Sequence, residues 1–127
     1  MRAIITLALL MTSFVASADD YWDKREGLKK EVIYIGEYNI TREELYESIL
    51  DPMMRNNWDI VGATKGEITA VYKEQTKLLV TIKQDRIVLE EHPDSIIFHA
   101  KWIESLRVHI ERRIKNAHYI RLLKSFE

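Results

Sequence analysis

Residues 58–92 read WDIVGATKGEITAVYKEQTKLLVTIKQDRIVLEEH, and their pattern establishes the class of fold. Apolar and polar residues alternate in four short runs, at residues 58–64, 67–74, 77–84 and 86–92. Alternation with a period of two is typical of half-buried strands. Short turns, predicted at Lys65-Gly66, Gln75-Thr76 and Asp85, separate the runs and allow only antiparallel neighbours. The sequence therefore predicts a meander of about four strands with one apolar face.

The segment before this meander predicts a helix preceded by a short strand. Thr41 and Glu44 have the spacing of a capping box, in which each side chain bonds the other's backbone N–H. A helix from Arg42 to about Asn56-Asn57 follows, with Pro52 expected to kink or restart it. Residues 31–38, EVIYIGEY, have the composition of a strand.

A long helix is predicted to close the chain, opening after His92-Pro93-Asp94 with Asp94 or Ser95 as its cap. Seven residues fall within about 80° on this helix and predict its buried stripe: Ile96, His99, Ile103, Leu106, Ile110, Ile114 and Ala117. Residues 31–127 thus form one α+β domain, a two-layer fold in which the meander packs on both helices.

The first 18 residues have the three parts of a secretory signal peptide. Met1-Arg2 is positive, residues 3–15 are mostly apolar, and Ala16-Ser17-Ala18 provides small residues for cleavage before Asp19. The apolar stretch is shorter than the roughly 20 residues needed to cross a bilayer. We therefore expect export to the periplasm or beyond, a flexible lead-in at residues 19–30, and a mature protein that does not span a membrane.

The composition excludes several function classes. The chain has no cysteine, so it has no disulfide and no lipid-modified N-terminal cysteine. Its formal net charge is −1, which gives no argument for nucleic-acid binding.

Candidate reactive residues are few. His99, His109 and His118 share the closing helix, but no two of them are four residues apart, so we expect no metal site. Residues 90–94, EEHPD, gather three carboxylates and an imidazole. They fit either a cation or acid–base site or a polar turn that caps the helix, and we favour the turn. Neither a Gly-rich phosphate loop nor a serine nucleophile motif is present, so we expect no cofactor and no catalytic site.

The end of the chain carries a second apolar cluster. Tyr119, Leu122, Leu123 and Phe126 point about 170° away from the buried stripe if the helix stays straight. Four basic residues lie among them: Arg112, Lys115, Arg121 and Lys124. Either the helix bends near Asn116 and the tail folds back, or these eight residues form a contact surface for a partner or a second copy. The basic residues also have an alternative role, since they match the acidic first helix with its Glu43, Glu44, Glu47 and Asp51.

The run from Trp58 to Ile114 resembles a type of small, uncharacterised exported bacterial protein. In that group a tryptophan opens a short meander and the closing helix carries a Trp-(Ile/Val)-x-x-Leu-x-x-x-Ile pattern. The matching residues are Trp58 after Asn57, and Trp102-Ile103 with Leu106 and Ile110. The lipid-anchoring cysteine and the Tyr-Asn pair common in the group are missing, with His99 and Ala100 in place of the pair. The resemblance implies export and no established activity.

Two functions are consistent with these residues. The first is an exported, non-enzymatic binding or interaction module in the bacterial envelope. The second is a periplasmic carrier of a small apolar ligand or lipid, which would need a few hundred Å³ of apolar space.

Overall fold

The computed structural model describes residues 29–127, and it shows the expected α+β fold. In chain order the elements are β1 (Lys30–Tyr34), α1 (Arg42–Arg55), β2 (Asp59–Thr64), β3 (Glu67–Tyr72), β4 (Thr76–Ile82), β5 (Arg86–Glu91) and α2 (Ala100–Lys124). The predicted signal peptide, its cleavage site and nearly all of the lead-in lie outside the described residues.

The sheet has five antiparallel strands in the order β1-β5-β4-β3-β2. The predicted meander forms strands two to five, and β1 adds to its free edge by pairing with β5, where Ile33 lies opposite Ile87. This strand is shorter than the predicted one, because a turn at Gly36-Glu37 follows Ile35. The first strand of the domain is therefore next to the last one.

Two of the three predicted turns are confirmed and one is wrong. Lys65-Gly66 and the loop containing Asp85 separate strands as expected. The turn placed at Gln75-Thr76 begins earlier instead, at Lys73 and Glu74, which both have positive φ. Thr76 is already the first residue of β4 and lies opposite Tyr72. Positive φ is uncommon for lysine and glutamate, so these two residues are no local sign of a turn.

The core lies between the sheet and the two helices, and the predicted alternation places its residues correctly. Six apolar residues at alternate positions of β3, β4 and β5 are buried: Ile68, Ala70, Leu78, Val80, Ile87 and Leu89. The helices cover them with Leu45, Ile49 and Met53 from α1 and Ile103, Leu106, Ile110 and Ile114 from α2. The closing helix and α1 therefore share one face of the sheet.

The capping box of α1 is confirmed. The Glu44 N–H donates to Thr41 Oγ1 at 3.1 Å, and the Thr41 N–H donates to Glu44 Oε1 at 2.7 Å. A restart at Pro52 is wrong, because one continuous helix runs through Pro52 to Arg55. Its end at Asn56, followed by Asn57 with a φ of 67°, is where the sequence placed it.

The start of α2 differs from the prediction by five residues. Residues 95–97 run instead along the β3–β4 turn, where the N–H groups of Ile96 and Ile97 donate to the Gln75 carbonyl. Ser95 accepts from the Lys77 N–H at 2.9 Å and so does not cap the helix. Because these backbone groups are satisfied by a distant strand, the helix begins only after His99. Ile96 and His99 are consequently exposed and are not part of the buried stripe.

Candidate functional site

The last ten residues of α2 extend beyond the sheet. The helix has 25 residues, which is about 37 Å at 1.5 Å per residue. The longest strand has seven residues, about 23 Å. Ile114 is the last buried residue of α2, so the final part of the helix, about 15 Å long, has no sheet beneath it. The helix does not end or fold back near Asn116.

This overhanging end is held by the connection between β1 and α1. The Asn39 N–H donates to His118 Nδ1 at 2.8 Å, and the ring of Tyr38 meets the His118 ring edge to face at 5.4 Å between centroids. Arg121 Nη2 donates to Glu44 Oε1 at 2.8 Å. These contacts lie on the inward side of α2, and they fix the direction of the last two turns.

Two arginines of α2 pair with the acidic side of α1. Arg113 donates to Asp51, and Arg121 donates to the same Glu44 oxygen that completes the capping box. The Arg121 guanidinium, together with the Thr41 N–H, holds the pKa of Glu44 below its ordinary value. Arg113 and then Arg55 lower the pKa of Asp51 in the same way. Arg121, which the sequence placed in a contact surface, therefore serves as an anchor between the helices.

The four apolar residues predicted for that surface are all exposed. Tyr119 is 56% exposed, Leu122 40%, Leu123 68% and Phe126 87%. Ile120, at 45%, is a fifth exposed apolar residue that the sequence analysis missed, because it lies beside the cluster on the helical wheel. We call Tyr119, Leu122, Leu123 and Phe126 the tail patch.

Basic side chains lie around the tail patch. Arg112 and Lys115 are exposed on the same face as Tyr119, since steps of three and four residues stay on one side of a helix. Lys124, in the last turn, is also exposed, but it lies on the α1 side of the helix, where it lines a cavity with Glu44, Ile120 and Arg121. Within residues 29–127 neither Arg112 nor Lys124 is in an ion pair, and Lys115 makes only a 4.0 Å contact with Glu111. The free end of α2 is therefore apolar and positively charged.

A second surface feature, which the sequence analysis did not anticipate, is a groove between α1 and the β2–β3 hairpin. Its volume is about 300 Å³. Tyr46 and Leu50 line one side, and Ala63, Ile68 and Ile82 line the other, with Lys65 and Glu67 at the hairpin end. We call this the hairpin groove. The sequence signal for this groove was weak, since Tyr46 and Leu50 merely lie beside the buried residues Leu45, Ile49 and Met53 of α1.

Acidic residues border the hairpin groove on α1. Glu43 lies one turn before Tyr46 and Glu47 one turn before Leu50, so both carboxylates are next to its apolar wall. Both are exposed, and neither is in an ion pair within the described part of the chain. With Glu67 they make three acidic residues against two basic ones, Lys65 and Arg42, which lies one turn before Tyr46, so the rim has a small excess of negative charge.

A third feature is a row of aromatic rings at the edge of the core. Tyr72 lies between Trp58 and Trp102, with centroids 5.4 and 5.1 Å away, and His99 meets Trp102 at 4.5 Å. The adjoining cavity is only about 110 Å³. Because the rings pack on one another, we interpret them as the packed edge of the core.

The other candidate residues are not brought together. Glu91 is buried on the helix-covered side of the sheet, whereas its neighbour Glu90 lies on the opposite face, as alternation requires. His92 Nδ1 accepts from the Asp94 N–H at 3.0 Å, which makes a local turn. Among residues 29–127, no three His, Asp or Glu side chains form a group that would hold a metal ion.

Helices within residues 29–127 do not combine the length and apolar character needed to cross a membrane. Comparisons with protein-family models, with curated proteins and with solved structures gave no match. The resemblance of residues 58–114 to small exported bacterial proteins therefore rests on the residue pattern alone. The function has to be argued from this chain's own surfaces.

Proposed function

We propose that this protein is an exported, non-enzymatic interaction module that binds a protein partner through the tail patch. The observation that carries the proposal is the exposure of four large apolar side chains on a rigidly anchored helix end. Clusters of this kind with a polar or charged rim are typical of protein contact sites. The predicted signal peptide supports the exported setting.

The anchoring of the helix end favours binding over accidental exposure. His118 and Arg121 hold the inward side of α2 through Asn39 and Glu44, so the outward side is presented in one orientation. A binding surface that is already ordered avoids the entropy cost of ordering on association.

An anionic membrane is a less suitable partner than a protein. Juxtamembrane or helical segments that bind anionic lipid usually carry clusters of about four to eight basic residues. Here Arg113 and Arg121 are already paired with α1 and Lys124 lies beside Glu44 on the α1 side, which leaves Arg112 and Lys115 next to the patch. Two cations are too few for a strong electrostatic contribution, so apolar contact with a partner has to dominate.

Crosslinking in the native host would test the proposal. The full chain, with its leader, would be compared with a Leu122→Asp/Phe126→Asp variant and with a Tyr34→Asp/Val61→Asp control. The control residues are 62% and 59% exposed and lie on the sheet, far from the helix end in sequence. We expect crosslinked species in the wild type and the control, and their loss in the Leu122→Asp/Phe126→Asp variant. Equal crosslinking in all three would contradict the proposal.

The hairpin groove favours a second candidate, a carrier of a small apolar ligand. Its volume of about 300 Å³ is at the lower end of the range for ligand sites. Carriers, however, enclose most of their ligand, and this groove is open along the surface. Titration with a fluorescent long-chain fatty acid would distinguish the two functions. Saturable binding that Leu50→Arg abolishes, in a variant that still folds, would favour the carrier.

A further inference from the structure

The hairpin groove and the tail patch complement each other in shape and in charge. The tail patch is a ridge of apolar side chains with Arg112 and Lys115 on the same helix face, and the hairpin groove is an apolar depression with Glu43 and Glu47 beside it. Opposite charges around matching apolar surfaces steer two proteins together and fix their register.

The two surfaces cannot meet within one molecule. Glu44 and Asp51 lie on the flank of α1 that faces α2, because they pair with Arg121 and Arg113. Tyr46 and Leu50 line the groove from the opposite flank, since each residue turns the helix by about 100°. The whole width of α1 therefore separates the groove from the tail of its own chain. A tail that fills the groove has to come from another copy.

The available area favours a reciprocal arrangement. Four partly exposed large side chains offer on the order of 400 Å² of apolar surface on each tail patch. A single contact between one tail and one groove would bury at most on the order of 800 Å² in total, which is below the usual size of a specific interface. Two such contacts related by a twofold axis would bury about twice as much and reach that size.

We propose that two copies of this chain form a dimer in which the tail patch of each occupies the hairpin groove of the other. This inference rests on the proposed function, since it names the partner of the tail patch as a second copy. It also gives the groove an occupant: the apolar side chains of the tail lie against Tyr46 and Leu50, and Arg112 and Lys115 lie against Glu43 and Glu47.

A charge-exchange experiment tests this pairing directly. The tail-charge variant is Arg112→Glu/Lys115→Glu, and the groove variant is Glu43→Lys/Glu47→Lys. All four residues are exposed, so both variants are expected to keep the wild-type circular dichroism. Lys101→Glu, an exposed charge reversal on the other half of α2, is the control.

Association would be measured by sedimentation velocity on protein purified after expression of the full chain. We expect the wild type and the control to dimerise, and each variant alone to dimerise at least tenfold more weakly, about 1.4 kcal/mol, because like charges then face each other. An equimolar mixture of the two variants is expected to recover the dimer, since each tail then meets a groove of opposite charge.

Three results would overturn the inference. A groove variant that dimerises as well as the wild type would show that tails pair with tails. A mixture that stays as weak as the separate variants would show that the charges do not meet. A wild type that is monomeric throughout, while the Leu122→Asp/Phe126→Asp variant still loses its crosslinks in cells, would mean that the tail patch binds a different protein. In that last case the proposed function stands and only the inference fails.

Discussion

The two halves of α2 belong to one uninterrupted helix and yet behave oppositely. In the first half, Ile103, Leu106, Ile110 and Ile114 point toward the sheet and are buried. In the second half, the large apolar residues point outward and are exposed, while His118 and Arg121 occupy the inward side. The helix does not bend to bring the second cluster inward. The apolar face reverses at the place where the sheet beneath it ends.

This contrast shows how an amphipathic pattern should be interpreted. An apolar stripe identifies the side of a helix that meets something apolar, but it does not identify what that is. In the first half of α2, the apolar stripe packs on the sheet of the same chain. For the second half, the connection before α1 supplies only polar and ring contacts, so nothing within residues 29–127 covers the apolar cluster, which is the surface that we propose for binding.

The largest expected effect on stability is that of a substitution in the buried first half of α2. Leu106→Ala should lower the free energy of unfolding by about 2–5 kcal/mol, because it removes buried methyl groups and leaves a cavity against the sheet. Leu106 is only 2% exposed, whereas Leu122 on the same helix is 40% exposed. Leu122→Ala is therefore the matched control, and it should cost less than about 0.5 kcal/mol. Chemical denaturation of both variants measures the difference, and equal losses would contradict the contrast between the halves.

Local patterns predicted most of the fold. Alternation placed the four strands of the meander and their buried residues, the Thr41–Glu44 spacing placed the start of α1, and the stripe from Ile103 to Ile114 placed the buried side of α2. Each of these signals depends on residues close together in the chain, whose geometry is set by the period of a strand or helix.

The features that sequence reasoning missed depend on distant residues. The start of α2 is delayed because Ser95 and Ile96 bond the backbone of Gln75 and Lys77, about twenty residues earlier. The hairpin groove exists only because α1 lies beside β3 and β4, which nothing in the run Tyr46–Leu50 reveals. The tail patch could be identified from its reversed phase, but its anchoring by Asn39 and Glu44 could not.

Acid should weaken the anchoring of the second half before it affects the buried half. The pKa values of Glu44 and Asp51 are lowered in the folded state, so the unfolded chain binds protons more readily as the pH falls. Their contribution is complete above the ordinary carboxylate range, near pH 4, and is lost as the pH falls through the lowered values. The melting temperature of the wild type should therefore drop between about pH 5 and pH 3 by more than that of an Arg113→Gln/Arg121→Gln variant.

The matching control for this prediction is Arg86→Gln. Arg86 lowers the pKa of Asp85 in an exposed loop away from both helices. If the melting temperature of the Arg113→Gln/Arg121→Gln variant falls with pH as much as that of the wild type, the ion pairs between α1 and α2 do not contribute to stability. Because these groups are solvent-exposed, we expect a modest shift of the melting curve, smaller than the effect of Leu106→Ala.

The smallest expected effect on stability is that of the tail patch itself. Leu122→Asp/Phe126→Asp removes two exposed apolar side chains and adds two charges, and surface substitutions of this kind usually change the free energy of unfolding by less than about 0.5 kcal/mol each. The measurement has to be made at low micromolar concentration, because association would otherwise add to the stability of the wild type. At high concentration the melting temperature of the wild type should be higher than that of the variant, and this difference should disappear on dilution. A large gap that persists on dilution would mean that Leu122 and Phe126 stabilise the monomer, and the contrast between the two halves of α2 would then disappear.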